Sequence, residues 1–258
     1  MNLKIFKYPL IIAHRGYRAQ YPENTCASFK AAIDAHIQMI EFDVMLSRDR
    51  KIVVIHDATL ERTTNGHGPV SNYTLEELKR LDAGSWFDSR FSHERIPTLK
   101  EALDKMANRV YVNIELKASA YEADSPPDRI ERQVVKLVKK KNICDSVIIS
   151  SFEWKMLDNI SKMDGAPDVG LISRDPKDPI NRVLCSRLKV FSWHPRFNGL
   201  GYEQVKEMHG MGIKVFPYNI ESLEQYEEAV NMGVDGVITN DPVLMSRSFI
   251  KSEEQVYG

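Results

Sequence analysis

The stretch 39–55 decides the fold: MIEFDVML at 39–46, SRDRK at 47–51 and IVVI at 52–55. Both apolar runs are short and bounded by polar residues, so each reads as a strand. Only five residues join them. A parallel crossover needs about a dozen, so the pair can close only as an antiparallel hairpin. Working outward, further strand candidates stand at 10–13, 110–116, 146–150, 168–172, 188–193, 213–218 and 234–238. Helical patterns fill most of the gaps, among them 26–36, 129–140, 203–209 and 223–231. This alternation predicts an α/β protein with a parallel sheet. Setting aside 52–55 as the returning arm of the hairpin leaves the eight strands that a (β/α)8 TIM barrel requires.

The chain is 258 residues long and 43% hydrophobic, enough for one such barrel, which typically takes ~250 residues. We expect a single barrel domain over 1–258, with a small insertion after the hairpin at about 58–97. The insertion carries Gly66, Gly68, Pro69 and Gly84 and is expected to be partly loop. Thr74 with Glu77, and Thr98 with Glu101, read as capping boxes that start helices. The net charge of −1 and pI near 6.7 lack the basic excess of a nucleic-acid binder. Three widely spaced cysteines with no CxxC suit neither a disulfide framework nor a zinc site, and they are expected to be buried reduced thiols. No apolar run approaches the ~18 residues of a membrane span, and the N-terminus lacks a signal-peptide pattern. A cytoplasmic protein with no stable membrane insertion is expected; the oligomeric state is left open.

The active rim of such a barrel lies at the C-terminal ends of its strands. His14 follows LIIA directly. Glu41 and Asp43 lie two apart on one strand and share a face, with Ile40, Phe42 and Val44 alternating between them toward the opposite side. Glu115 and Lys117 repeat the spacing at the end of YVNIEL. The hairpin should carry His56 back beside the Glu41–Asp43 pair. Three carboxylates at one point repel one another unless a cation or protons neutralise them, and an all-oxygen set suits Mg²⁺ or Ca²⁺. Two histidines beside them can work as an acid–base pair, and Arg15 and Lys117 could face a phosphate. The constellation suits phosphoryl transfer.

The ordered set HRG at 14–16, PENT at 22–25, EFDV at 41–44, IHD at 55–57, ERTTNG at 61–66, LDAGSWF at 81–87, IPTLKEAL at 96–103, IELK at 114–117, ISSF at 149–152 and GVDGVITNDP at 233–242 resembles the glycerophosphodiester phosphodiesterase signature over nearly the whole chain. The resemblance implies hydrolysis of glycerophosphodiesters to sn-glycerol 3-phosphate and an alcohol, with one divalent cation. It implies metal ligation by Glu41, Asp43 and Glu115, acid–base catalysis by His14 and His56, and phosphate contacts from Arg15 and Lys117. It also implies attack by the glycerol 2-hydroxyl, giving a cyclic 1,2-phosphate. One stretch departs from the pattern. Where the family often has an aromatic-Thr-Val-Asn run after the seventh barrel strand, this chain has Tyr218-Asn219-Ile220-Glu221, which bears on substrate preference. Tyr218 and Trp193 are the pocket-lining candidates.

Other readings fit less of the sequence. Lysophospholipid hydrolysis by the same chemistry draws on Trp86, Phe87 and Phe91. A carboxylate-pair glycosidase leaves the two histidines and Lys117 without a role. A non-catalytic ligand-binding barrel should have lost one of the five key residues, and none is missing. His36, His67, His93 and His209 read as surface residues, and His194 is intermediate. Asn24 and Thr25 read as helix N-cap candidates, and the basic run at 134–141 as a solvated barrel helix.

Overall fold

Short β-branched runs flanked by amphipathic helices set the element order, and the strands' two-residue period sets which side chains meet. A computed structural model describes residues 1–3, 9–177 and 182–246. In chain order these form β1 (Leu10–His14), α1 (Cys26–Asp34), β2 (Met39–Leu46), β3 (Ile52–Val54), α2 (Leu75–Lys79), α3 (Leu99–Met106), β4 (Tyr111–Leu116), α4 (Ile130–Lys140), β5 (Val147–Ser151), α5 (Trp154–Ser161), β6 (Asp168–Ser173), α6 (Arg182–Leu188), β7 (Val190–Pro195), α7 (Tyr202–Gly210), β8 (Lys214–Val215), β9 (Tyr218–Ile220), α8 (Leu223–Asn231) and β10 (Gly236–Thr239).

The hairpin that sets the strand count is present. β3 runs antiparallel to β2, with Val44 opposite Val54 and Leu46 opposite Ile52. All other ladders are parallel. The sheet path runs β8-β7-β6-β5-β4-β2-β1-β10-β9, and its two ends, β8 and β9, are halves of one stave. The expected strand at 213–218 is split because Pro217 has no N–H to give the ladder, and it continues to Ile220. The barrel closes across that split, where Phe216 N–H donates to the Trp193 carbonyl and Ile238 N–H to the Pro217 carbonyl. Eight staves therefore form a (β/α)8 barrel.

Inward-facing residues explain why the site sits at one end. Leu10, Ile12, Met39, Tyr111, Ile148, Phe216 and Ile238 form one apolar cluster with Leu3, the packed floor of the barrel. Two or four residues further along the same faces come His14, Glu41, Asp43, Asn113, Glu115, Phe152 and Tyr218. The staves thus turn from apolar to polar toward their C-terminal ends. The outward faces join the helices in a second cluster that includes Phe42, Leu103, Val134, Leu157 and Trp193.

The capping boxes at Thr74–Glu77 and Thr98–Glu101 start α2 and α3. Of the two N-cap candidates for α1, Thr25 takes the role, with Ser28 closing the box. Asn24 lies outside the cap at φ 57°. Residues 58–97 hold α2, two single 3-10 turns and otherwise loop. All three cysteines are free, Cys185 buried and Cys26 and Cys144 half-buried. Among the described residues no helix is long and apolar enough to cross a membrane.

Candidate active site

β2 and β4 lie in register with Glu41 beside Asn113 and Asp43 beside Glu115. One carboxylate oxygen from each of Glu41, Asp43 and Glu115 lies within 4.8 Å of the others. Glu41 and Asp43 are only 3% and 1% exposed. Burial and repulsion from Asp43 and Glu115 push the Glu41 carboxyl well above the usual range, with Arg15 acting against them. Burial and Asp43 likewise push Glu115 up to about 7, against Lys117. Burial also works against ionised Asp43, but Lys117 and Arg15 outweigh it and hold this carboxyl below the usual range. Without a cation, Glu41 and Glu115 are therefore the carboxyls that hold a proton more readily, and Asp43 the one that holds it least.

Two cations are built into the cluster. Lys117 Nζ donates to Glu115 at 2.7 Å and to Asp43 at 3.2 Å. Arg15 gives its backbone N–H to Glu41 at 3.0 Å, and its guanidinium lies 3.3 Å from Asp43. This reach depends on the turn after β1. Arg15 sits at φ 56° and Gly16 at φ 81°, and a Cβ on Gly16 would collide with the Ser28 side chain.

Each histidine has its Nδ1 tied by a hydrogen bond. His14 Nδ1 pairs with Asn240 Oδ1 at 2.7 Å, and its Nε2 lies 4.0 Å from Glu41. Burial, with Arg15 and Arg18 adding to it, pushes His14 down to about 3. The hairpin brings His56 back as its register requires, since Ile55 N–H donates to the Asp43 carbonyl. His56 Nδ1 pairs with Asp57 Oδ1 at 2.5 Å. Burial lowers the His56 pKa, and Asp43 and Asp57 act in the opposite direction. Both rings thus leave Nε2 as the free nitrogen.

Both histidines, Arg15, Glu41, Asn113 and Glu115 line one cavity of about 120 Å³, below the ~300 Å³ of sites for drug-sized ligands. Phe152, Ile172, His194, Tyr218, Asn219 and Ile238 make up the rest of its wall. Tyr218 OH donates to the Ser173 carbonyl at 3.0 Å, and its pKa is pushed up to about 12, first by burial and then by Glu115. Glu41 Oε1, Asn113 Oδ1, His194 Nδ1 and Asn219 Oδ1 are buried with no hydrogen-bond partner among the described residues. A polar ligand or ion would satisfy them.

Trp193 is not brought to this site. It is 1% exposed, packs in the outer core and donates from its indole to Ser173 Oγ at 2.9 Å. Strand alternation sends its neighbour His194 inward instead. The four expected surface histidines, His36, His67, His93 and His209, are all exposed, and His209 pairs with Asp235 at 2.8 Å.

Several supporting residues did not stand out in the sequence. Glu23, 4% exposed, accepts from Arg15 at 2.7 Å and from Arg62 at 2.8 and 2.9 Å, and it pairs with Arg18 at 3.1 Å. Arg62 also donates to Asp57 at 2.6 Å, so residues 58–97 are tied to the catalytic rim through one guanidinium. Asn24 donates to Asp43 at 2.9 Å. The signal was present: Glu23 and Asn24 lie in PENT, Asp57 in IHD, Arg62 in ERTTNG and Asn240 in GVDGVITNDP.

Residues 14–244 match the glycerophosphoryl diester phosphodiesterase family. A glycerophosphodiester phosphodiesterase of Caldanaerobacter subterraneus subsp. tengcongensis is 40% identical over 90% of this chain and 94% of its own. One of Bacillus altitudinis is 34% identical over 90% of this chain and 94% of its own. An Oleispira antarctica phosphodiesterase, solved in complex with the product sn-glycerol-3-phosphate, superposes with a TM-score of 0.84 at 28% identity, over 94% of this chain and 97% of its own.

Proposed function

This chain belongs to the glycerophosphoryl diester phosphodiesterase family and is an enzyme of that kind, and from this premise we propose that it hydrolyses glycerophosphodiesters by metal-assisted histidine acid–base catalysis. One observation carries the reading: two histidines, each ring with a tied Nδ1, share one small cavity with Glu41 and Glu115, whose carboxylates cluster with that of Asp43. We read residues 1–258 as one barrel domain, with 58–97 as its insertion.

A divalent cation fits the residues present. Glu41 Oε1 is a buried oxygen without a partner among the described residues, and the crowding that raises the Glu41 and Glu115 pKa values is the repulsion a cation would relieve. Glu41, Asp43 and Glu115 would hold it, and oxygen-only ligands favour Mg²⁺ or Ca²⁺. Bound there, it would supply Lewis-acid stabilisation of the charge that develops on a phosphate oxygen. Arg15 and Lys117 would add positive charge toward the same phosphate while orienting the carboxylates.

The histidines' partners suggest their roles. Asp57 is anionic and stabilises an imidazolium on His56, whereas Asn240 is neutral and fixes His14 as an uncharged ring with Nε2 free to accept. His14 then takes the proton of the glycerol 2-hydroxyl as its oxygen bonds to phosphorus. His56 protonates the departing alcohol oxygen as the P–O bond breaks. The hydroxyl is already tethered next to the phosphate, so the attack is intramolecular and gains effective molarity. The cyclic 1,2-phosphate is opened by water with the histidines' roles reversed. The product bound to the Oleispira relative, sn-glycerol-3-phosphate, supports a glycerophosphodiester as the substrate class. Tyr218 closes the opposite wall.

The test is to compare a glycerophosphodiester with its 2-deoxy analogue. The analogue should bind yet scarcely turn over, and the cyclic phosphate should itself be hydrolysed. Equal rates for parent and analogue would mean that water attacks directly.

A further inference from the structure

The wall opposite the carboxylates carries charge that the chemistry above does not use. Arg174 and Arg196 come directly after the C-terminal ends of β6 and β7, so both stand on the catalytic rim. Arg174 Cζ lies 5.0 Å from the centroid of the Phe152 ring. Phe152 lines the cavity and meets Tyr218 edge-on at 6.2 Å. Arg196 bridges to Tyr218 in parallel, and its N–H donates to the Ser173 carbonyl that also accepts from Tyr218 OH. The two arginines thus flank the aromatic side of the mouth. Both are exposed, and neither side chain makes a hydrogen bond or ion pair with any described residue. The nearby acids are engaged with backbone: Asp175 accepts from Lys177 N–H and Glu153 from Lys155 N–H. Arg15, Arg18 and Arg62, across the mouth, all share Glu23.

We propose that the alcohol leaving from this enzyme's substrate carries a second phosphate, which Arg174 and Arg196 bind at the mouth. The proposal rests on the glycerophosphodiester reading. Two guanidiniums without a hydrogen bond or ion pair among the described residues match the charge of a phosphate monoester, about −1.5 to −2 at neutral pH, and arginine forks suit its oxygens. Phe152 and Tyr218 alone would suit a quaternary ammonium, which favours aromatic faces. Arg174, however, already lies against the Phe152 ring and would repel such a cation. The wall therefore selects against choline-like alcohols and for anionic ones.

The test compares three diesters that differ only in the alcohol: glycerol phosphate, glycerol and choline. The wild-type enzyme should rank them in that order by kcat/KM. Arg174→Gln and Arg196→Gln should each lower kcat/KM for the phosphorylated alcohol about tenfold, the scale of one charge-assisted hydrogen bond. Glycerophosphoglycerol should change much less, and added salt should compress the wild-type preference. A choline diester cleaved fastest, or equal losses on all three substrates, would overturn the proposal. If none of the three turned over, the hydrolase reading would fall first. Equilibrium binding of the same ligands would still judge the rim, and choline-diester binding as tight as that of the phosphorylated diester would refute it.

Discussion

The two halves of the barrel mouth differ in how their polar atoms are satisfied. On the side of β1, β2 and β4 the charged groups are cross-linked, although Glu41 Oε1 and Asn113 Oδ1 lack a partner among the described residues: Glu23 holds three arginines, Asp43 meets Lys117, Arg15 and Asn24, and both catalytic histidine candidates have Nδ1 fixed. On the side of β5 to β9 the wall includes Phe152, His194, Tyr218 and Asn219, with two arginines at its rim that have no ion-pair partner among the described residues. A preorganised network suits bond making and breaking, because its dipoles need not rearrange during reaction. A sparsely satisfied wall suits recognition, because a ligand supplies the missing partners.

The first way to break this contrast is at the histidines. His14→Ala or His56→Ala should lower kcat by roughly 10²–10⁴-fold. If both act in one proton-transfer cycle, as proposed, the double variant should lose less than the product of the single losses. Near-normal kcat in either single variant would remove that residue from the mechanism.

Next in size is the support beneath the network. Glu23→Gln leaves three guanidiniums facing a neutral amide, and breaking a buried ion pair in this way costs about 3–5 kcal/mol. Burial opposes the charge on Glu23, but Arg62, Arg15 and Arg18 pull its pKa down to about 2. A lowered folded-state value means that its stabilisation is complete above the ordinary glutamate range near 4.5 and is lost as pH falls through about 2. Denaturant melts across that window should show wild type losing stability that the variant never had. Parallel curves would contradict the assignment.

A smaller effect is expected at Asp57. Asp57→Asn should lower kcat about tenfold at neutral pH, the scale of one charge-assisted hydrogen bond. Without the carboxylate His56 holds its proton less well, so the alkaline limb of the pH–rate profile should move to lower pH. An unmoved limb would assign the acid role elsewhere. The smallest change belongs to the sparse wall. Tyr218→Phe removes one hydrogen bond and should cost about 1 kcal/mol of stability, with kcat nearly unchanged.

The same contrast governs how much the sequence disclosed. The hairpin followed from a five-residue connection that permits no parallel crossover, and the inward acids followed from strict alternation along β2. Two capping boxes were readable because Thr and Glu stand three apart. The α1 box uses Ser28 in place of Glu or Gln, so the pattern did not separate Asn24 from Thr25. Trp193 and His194 could not be told apart because β7 carries one extra residue where its register against β6 shifts, Val169 pairing with Val190 but Gly170 with Ser192, and such a bulge reverses the alternation that follows. The partners of Glu23 are long-range: Arg62 is 39 residues away, and no local pattern encodes that contact. Arg174 and Arg196 sit in no motif and gain meaning only from the geometry of the mouth.

On the proposed reading the carboxylate cluster works only with a cation bound. Turnover of glycerophosphoglycerol should be followed in chelator-stripped enzyme as Mg²⁺ or Ca²⁺ is returned. Activity should be lost on stripping and recovered on addition. Full turnover in excess chelator, with the protein shown to contain no metal, would contradict it.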